Sequence, residues 1–282
     1  MDAHHHVWDL SVRDQDWLIG PELAPLRRNF TVADLEPQAR AAGVSRTVLV
    51  QTVTVAEETP EFLALAAAHE LIGGVVGWTD LTRPDVADEL ARLREMPGGR
   101  YLKGIRHQVQ SEPDPEWLSR PDVRRGLAAV AAAGLVYDLV VRPHQLPACT
   151  GAAAALPGLT FVLDHLGKPP IASGTLEPWA QGVTALAALP NTVCKLSGMV
   201  TETDLTHRRS AASRRRELKP YADTVLAAFG PERLLAGSDW PVCTLATTYA
   251  GVWLMAEGLT LGLSGPERAQ VFGGTAERVY RL

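Results

Sequence analysis

Two histidines separated by one residue stand near the start of the chain, in Asp2-Ala-His4-His5-His6-Val-Trp8. If this stretch is a strand, alternation puts His4 and His6 on one face and His5 on the other, so two imidazoles aim together. A third histidine closes the apolar run Phe161-Val-Leu-Asp164-His165, and an aspartate follows another in Leu235-Ala-Gly237-Ser238-Asp239-Trp240-Pro241. Hydrolysis of an ester or lactone needs a base to take a proton from water, a donor for the developing oxyanion and an acid for the departing alkoxide. Asp239 could act first as that base and then as that acid. His4, His6 and His165 could join Asp239 in binding a divalent metal, which lowers the pKa of a bound water, or could hydrogen-bond the carbonyl directly. Blander readings also exist: core histidines, a tag remnant at residues 4–6, and a turn or cap role for Asp239 before Pro241.

These groups meet only if the strands that carry them belong to one closed sheet. Short β-branched apolar runs alternate with longer Ala/Leu/Arg-rich amphipathic stretches, the pattern of repeated β-α units. The expected strands are Asp2 to Trp8, Arg46 to Thr52, Ile72 to Asp80, Tyr101 to His107, Leu135 to Val141, Thr160 to His165, Thr192 to Ser197 and Leu234 to Trp240. Helices are expected near 31–42, 57–69, 84–95, 121–133, 144–155, 177–188, 216–228 and 244–258, with one more near 264–273. Thr31 and Ser264 read as N-caps, and Gly43, Gly134 and Gly230 as helix ends. Eight such units over residues 1–282 predict a single (β/α)8 TIM barrel of the α/β class, whose active site lies at the C-terminal ends of the strands. An open doubly wound sheet is the alternative, but no Gly-x-Gly-x-x-Gly follows the first strand.

Further polar residues fall near the same strand ends. Arg106 could polarise a carbonyl or bind a product carboxylate, or form a structural ion pair. Gln110, Trp78 and Trp240 could line a sugar pocket, with core packing the alternative for the tryptophans. Asp138 and Lys195 sit inside strands and could pair with each other. Cys243 lacks a dedicated activating base. The segment 201–219 carries Arg208, Arg209, Arg214, Arg215 and Arg216, and reads either as a solvated basic helix start or as a lid over the barrel mouth.

Taken together, His4-x-His6, Asp164-His165-Leu-Gly-Lys-Pro, Lys195-Leu-Ser-Gly198 and Gly237-Ser-Asp239-Trp-Pro resemble the amidohydrolase superfamily, in particular its amidohydrolase-2 branch of sugar-lactone hydrolases. Gly104-Ile-Arg106-His107-x-x-Gln110 and Gly77-Trp78-x-Asp80 strengthen the likeness, which runs from Asp2 to at least Cys243. The resemblance implies a (β/α)8 barrel in which His4, His6 and His165 shape the reactive centre and Asp239 activates water, with one zinc ion or none. It also shows a departure: Arg106 and His107 stand where a bridging lysine would end strand four, so a binuclear centre is not expected. The activity implied is opening of a sugar-derived lactone, such as a fucono- or rhamnonolactone. Alternatives are a lactone of an aromatic-degradation pathway, for which Arg106 and Arg142 are candidate ligands, a metal-dependent decarboxylase, and a non-catalytic sugar-acid binding protein.

Composition narrows the partners. Hydrophobic residues are 46% of the chain and charged residues 21%, the balance of a globular protein. A net charge of -5 gives no basic footprint for nucleic acid, so a small molecule is the expected partner. No apolar run reaches the roughly 20 residues of a membrane helix, and Asp2 with three histidines follows Met1 where a secretory signal would be positive and then apolar. Three cysteines without Cys-x-x-Cys spacing fit a reducing compartment, so a cytoplasmic location is expected. Nothing in the sequence fixes the oligomeric state.

Overall fold

The computed structural model describes residues 1–206 and 210–282. Eight strands, β1 (Asp2–His5), β2 (Thr47–Val50), β3 (Ile72–Gly77), β4 (Leu102–His107), β5 (Val136–Leu139), β6 (Phe161–Leu163), β7 (Thr192–Leu196) and β8 (Leu234–Ala236), pair in parallel in chain order. The ends of the sheet meet. His5 bridges Trp240, the His6 N–H donates to Trp240 O at 2.7 Å, and the Asp239 N–H donates to His4 O at 2.8 Å. This is the (β/α)8 barrel expected from the sequence, and its seam runs through four of the predicted site residues, His4, His6, Asp239 and Trp240.

The helices are α1 (Val32–Ala41), α2 (Glu58–Ala68), α3 (Val86–Glu95), α4 (Pro121–Ala132), α5 (Leu146–Ala155), α6 (Trp179–Ala187), α7 (Ala211–Phe229), α8 (Tyr249–Leu259), α9 (Gly265–Ala269) and α10 (Thr275–Tyr280). Thr31 and Ser264 cap α1 and α9 through reciprocal capping boxes with Asp34 and Glu267, each worth about 1 kcal/mol. One apolar core fills the space between sheet and helices. A second, inside the barrel, gathers Val48, Val50, Val76, Val136, Val162, Val193 and Leu235, with Ala276, Val279 and Tyr280 of α10 packed against them.

Three expectations need correction. The helix near 264–273 continues past Gly273-Gly274 through a π turn at Gln270–Gly274 into α10, because Ala276, Val279 and Tyr280 gain burial that outweighs the glycines. The helix near 216–228 starts earlier, at Ala211, after Ser210 caps it through the Ser213 N–H. The strands stop short of the polar residues that follow them: His6, His165 and Asp239 lie just beyond their ladders, not within them. In the segment 201–219, Arg208 and Arg209 lie outside the described residues, whereas Arg214 turns inward and donates to Ala246 O at 2.6 Å. Among the described residues no helix is long and apolar enough to cross a membrane.

Candidate active site

A cavity of about 210 Å³ opens at the C-terminal ends of the strands, and His6, Arg106, Gln110, His165 and Asp239 line it together with Asp16, Trp17, Thr52, Gln108 and Lys168. The buried His4 stands directly behind. His4 Nε2 and His6 Nε2 are 3.1 Å apart. Around them, Asp239 Oδ1 lies 3.5 Å from His6 Nε2 and 3.8 Å from both His4 Nε2 and His165 Nε2. The four residues that the sequence singled out therefore converge on one point. The alternation argument reached the right pair although the register of β1 against β2 shifts between Asp2 and His5.

The local backbone explains how residues outside the ladders are aimed so closely. His165, Leu166, Gly167 and Lys168 form a left-handed turn with φ between 53° and 71°, and Asp239 has φ 55°. Each non-glycine residue there costs roughly 1–2 kcal/mol, strain that persists because the surroundings over-determine it. Gly198 makes room for the turn: a Cβ on it would stand 2.4 Å from His165 Nδ1. Beside it, Ser197 Oγ pairs with His165 Nδ1 at 2.9 Å. Asp2 fastens the seam by accepting hydrogen bonds from Ser238 N–H, Ser238 Oγ and Tyr249 Oη.

Electrostatics assign protonation states. Burial lowers His165 to about 4, outweighing the pull of Asp239 and Asp164, so the ring is neutral near pH 7. Burial and the neighbouring Lys195 hold His4 well below the ordinary histidine value. Burial alone would push the Asp239 carboxyl up, but the neighbouring His165 and His6 outweigh it and hold Asp239 below the usual carboxylate value. Asp239 is thus an ionised acceptor beside the neutral His165 and His4 rings. Cys243, close by, is pushed well above the ordinary thiol value by burial, which leaves it without nucleophilic character.

Arg106 reaches the cavity with most of its donors already engaged. Its Nε donates to Gln51 Oε1 at 2.8 Å, Nη1 to Asp164 Oδ2 at 2.9 Å and Nη2 to the Gln51 carbonyl. The structural ion pair weighed at the sequence level is present. Gln110 lines the cavity, and its Nε2 donates to Gln108 Oε1 at 3.1 Å. The two tryptophans do not line it. Trp240 is buried edge-on against Phe30, and Trp78 donates to His107 Nδ1 at 2.9 Å, while the His107 ring stacks on Trp117. Lys168, part of the Asp164-His165-Leu-Gly-Lys-Pro motif, also lines the cavity, and among the described residues its ammonium has a single ion pair, with Glu202 at 3.5 Å. Gln51, Thr52 and Gln108 were missed, although polar residues closing the second apolar run were a legible sign. Asp16 and Trp17 come from the long β1–α1 connection, which carried no sign at all.

The donor set fits a divalent ion. Three buried donors, His4 Nε2, His6 Nε2 and Asp239 Oδ1, separated by 3.1–3.8 Å, bracket the roughly 3.3 Å edge spanned by ligands on one zinc with bonds of about 2.0–2.1 Å. His6 is held as a metal-binding histidine requires, its Nδ1 facing Val50 O at 2.8 Å, which leaves Nε2 as a lone pair; His4 Nδ1 faces the Lys195 ammonium at 3.1 Å and Asp164 Oδ1 at 3.4 Å.

A closed parallel barrel with a histidine–aspartate centre at its C-terminal mouth is the class that fold and site define. The amidohydrolase family profile matches residues 1–282, and the chain belongs to that family. An L-fucono-1,5-lactonase from Burkholderia ambifaria is 39% identical over 291 residues, spanning 100% of this chain and 95% of that protein. An L-rhamnono-gamma-lactonase from Scheffersomyces stipitis is 24% identical over 200 residues, 64% of this chain and 59% of that one. The crystal structure of an amidohydrolase from Burkholderia multivorans with bound zinc superposes with a TM-score of 0.93 at 38% identity, covering 100% of this chain and 98% of that one.

Proposed function

We propose that this protein hydrolyses a sugar-derived lactone, with L-fucono-1,5-lactone the foremost candidate, to the open hydroxy acid. The observation that carries the reading is the ionised Asp239 carboxylate facing His4, His6 and His165 at the floor of a cavity sized for one sugar ring. The 39% identity to the Burkholderia L-fucono-1,5-lactonase over the whole chain supports it.

Asp239 takes a proton from water as the oxygen adds to the lactone carbonyl. The charge that develops on the carbonyl oxygen meets His165 Nε2 and the Lys168 ammonium, the cavity cation with spare donors. When the ring C–O bond breaks, Asp239 returns the proton to the departing alkoxide, leaving a carboxylic acid and a free hydroxyl. A divalent ion held by His4, His6 and Asp239 would supply a bound water of lowered pKa, leaving His165 Nε2 to donate to the carbonyl. The Arg106 guanidinium, 3.4 Å from His4 Nε2, favours one such ion over two because a second cation would be repelled. Gln108 and Gln110 supply amides for sugar hydroxyls. An aromatic dicarboxylate would call for several free arginines, whereas Arg106 is the sole arginine among the described cavity-lining residues and is engaged by Asp164 and Gln51.

The test is acid release from a panel of 1,4- and 1,5-aldonolactones near neutral pH, with Asp239→Asn in parallel. Asparagine tolerates a left-handed backbone, so this variant removes the base without adding strain. Fast opening of one stereochemical set, lowered roughly 100-fold or more in the variant, is expected. Turnover within a few-fold of the parent would overturn the assignment of the base.

A further inference from the structure

Glu58, the first residue of α2, is 1% exposed and does not line the cavity. Its Oε2 accepts the Thr52 N–H at 2.8 Å and the Val53 N–H at 3.4 Å, and its Oε1 accepts the Thr52 hydroxyl. The same short stretch holds the polar wall of the cavity. Gln51 Nε2 donates to Val53 O at 3.0 Å, which turns Gln51 Oε1 toward Arg106 Nε at 2.8 Å and Gln108 Nε2 at 3.2 Å. The Thr52 carbonyl receives Gln108 Nε2 at 3.1 Å. We propose that Glu58 is a positioning residue: its carboxylate clamps the β2–α2 connection so that Gln51 and Thr52 present the acceptors that aim Arg106 and Gln108 into the cavity.

The clamp is strongest with an ionised group. A carboxylate holds all three donors by charge-assisted bonds, whereas protonation on Oε1 reverses the bond with the Thr52 hydroxyl and leaves Oε2 a neutral, weaker acceptor for the Thr52 and Val53 N–H groups. Burial pushes Glu58 up to about 7, against the hydrogen bonds from Thr52 and Val53 and the charge of Arg13. Other titratable groups surround it. Arg13 and Asp9 of the β1–α1 connection, Glu57 beside it, and Glu61 and His69 along α2 face the same groove, with Arg13 held by Glu61 at 2.8 Å and 2.9 Å. The clamp is therefore complete above about pH 7 and loosens below it.

The inference rests on the hydrolase reading for its kinetic readout, so two measurements are needed. The first is the pH profile of kcat/KM on the lactone best opened by the wild type, compared with Glu58→Gln and Arg13→Met. The wild type should lose activity on an acid limb near pH 7. Glu58→Gln should lower kcat/KM at pH 8 by about 10-fold, as loss of a buried charged hydrogen bond does, and should lack that limb. Arg13→Met removes a cation that favours the ionised form and should move the limb to higher pH. The second is hydrogen exchange of residues 50–56 at pH 6 and pH 8, corrected for the intrinsic rate. The Thr52 and Val53 amides should be protected at pH 8 in the wild type, less so at pH 6, and in Glu58→Gln weakly and to the same extent at both pH values. Retention of the wild-type limb in Glu58→Gln, or equal amide protection in the two proteins, overturns the proposal. Should that variant fail to fold, an unmoved limb in Arg13→Met does so. If the wild type opens no lactone, the functional reading fails by itself, and the exchange comparison still decides whether Glu58 holds the connection.

Discussion

Lys195 Nζ stands 2.5 Å from Asp138 Oδ2, with both side chains sealed from water inside the barrel. The same ammonium lies 2.9 Å from Asp164 Oδ1 and 3.1 Å from His4 Nδ1, and Tyr280 Oη of α10 donates to Asp138 at 2.9 Å and 3.1 Å. One cation thus ties β5, the turn after β6, β7 and the last helix to the histidine at the centre of the site. Removing Lys195 leaves Asp138 without a counter-charge, while Asp164 keeps Arg106, and breaking such a buried pair typically costs 3–5 kcal/mol, about a third or more of a domain's stability. Lys195→Met should lose roughly that much in urea denaturation, and a loss below about 1 kcal/mol would show that the network does not hold the barrel together.

The convergence of His4 Nε2, His6 Nε2 and Asp239 Oδ1 predicts metal uptake. Zinc added to the metal-stripped protein should saturate at about one equivalent by elemental analysis. His6→Asn should bind at least about 10-fold more weakly, because it removes the one imidazole whose lone pair is fixed by a backbone carbonyl. Equal zinc content in the wild type and the variant would remove His6 from the ligand set.

Lys168 provides a separate test of how the lactone is held. Replacing it by glutamine keeps a long side chain on the same left-handed backbone but removes the charge. A charge-assisted hydrogen bond contributes about 1.5–3 kcal/mol, so kcat/KM should fall roughly 10–100-fold, and the hydroxy-acid product should inhibit less strongly. Unchanged kcat/KM and product inhibition would place Lys168 outside the substrate site, leaving it as the partner of Glu202 alone.

Glu58 sets stability and activity against each other as pH changes. Its folded value of about 7 lies above the ordinary 4.5, so between those values the folded state binds more protons than the unfolded one. The stability it contributes is therefore present below about pH 4.5 and lost as pH rises through 7, up to about 3 kcal/mol for a shift of this size. Glu58→Gln should flatten the fall in unfolding free energy between pH 5 and pH 7, and an unchanged slope in that variant would contradict the buried-carboxyl origin.

Much of the architecture was legible because it rests on local periods. Apolar runs of strand length between amphipathic helices are written into each β-α unit, and counting them gave the barrel. His4-x-His6 was legible for the same reason, since two residues apart along a strand end is a short-range relation. The end of the chain was misread because Gly273-Gly274 is a local stop sign, whereas the burial of Val279 and Tyr280 that carries the helix onward comes from distant strands.

By itself the sequence determined which chemical groups stand at the strand ends: three imidazoles, an aspartate and an arginine. Only the closed barrel decided what each is free to do. Arg106 is 55 residues from Gln51 and 58 from Asp164, and meeting both engages the donors that the sequence alone left open for substrate. Trp240 turns into the core, and Lys168, unremarkable in the chain, reaches the cavity on a left-handed turn that Gly198 on the neighbouring connection makes room for. Side-chain direction beyond the last ladder bond depends on closure and on contacts between strands far apart in sequence, and no window along the chain contains them.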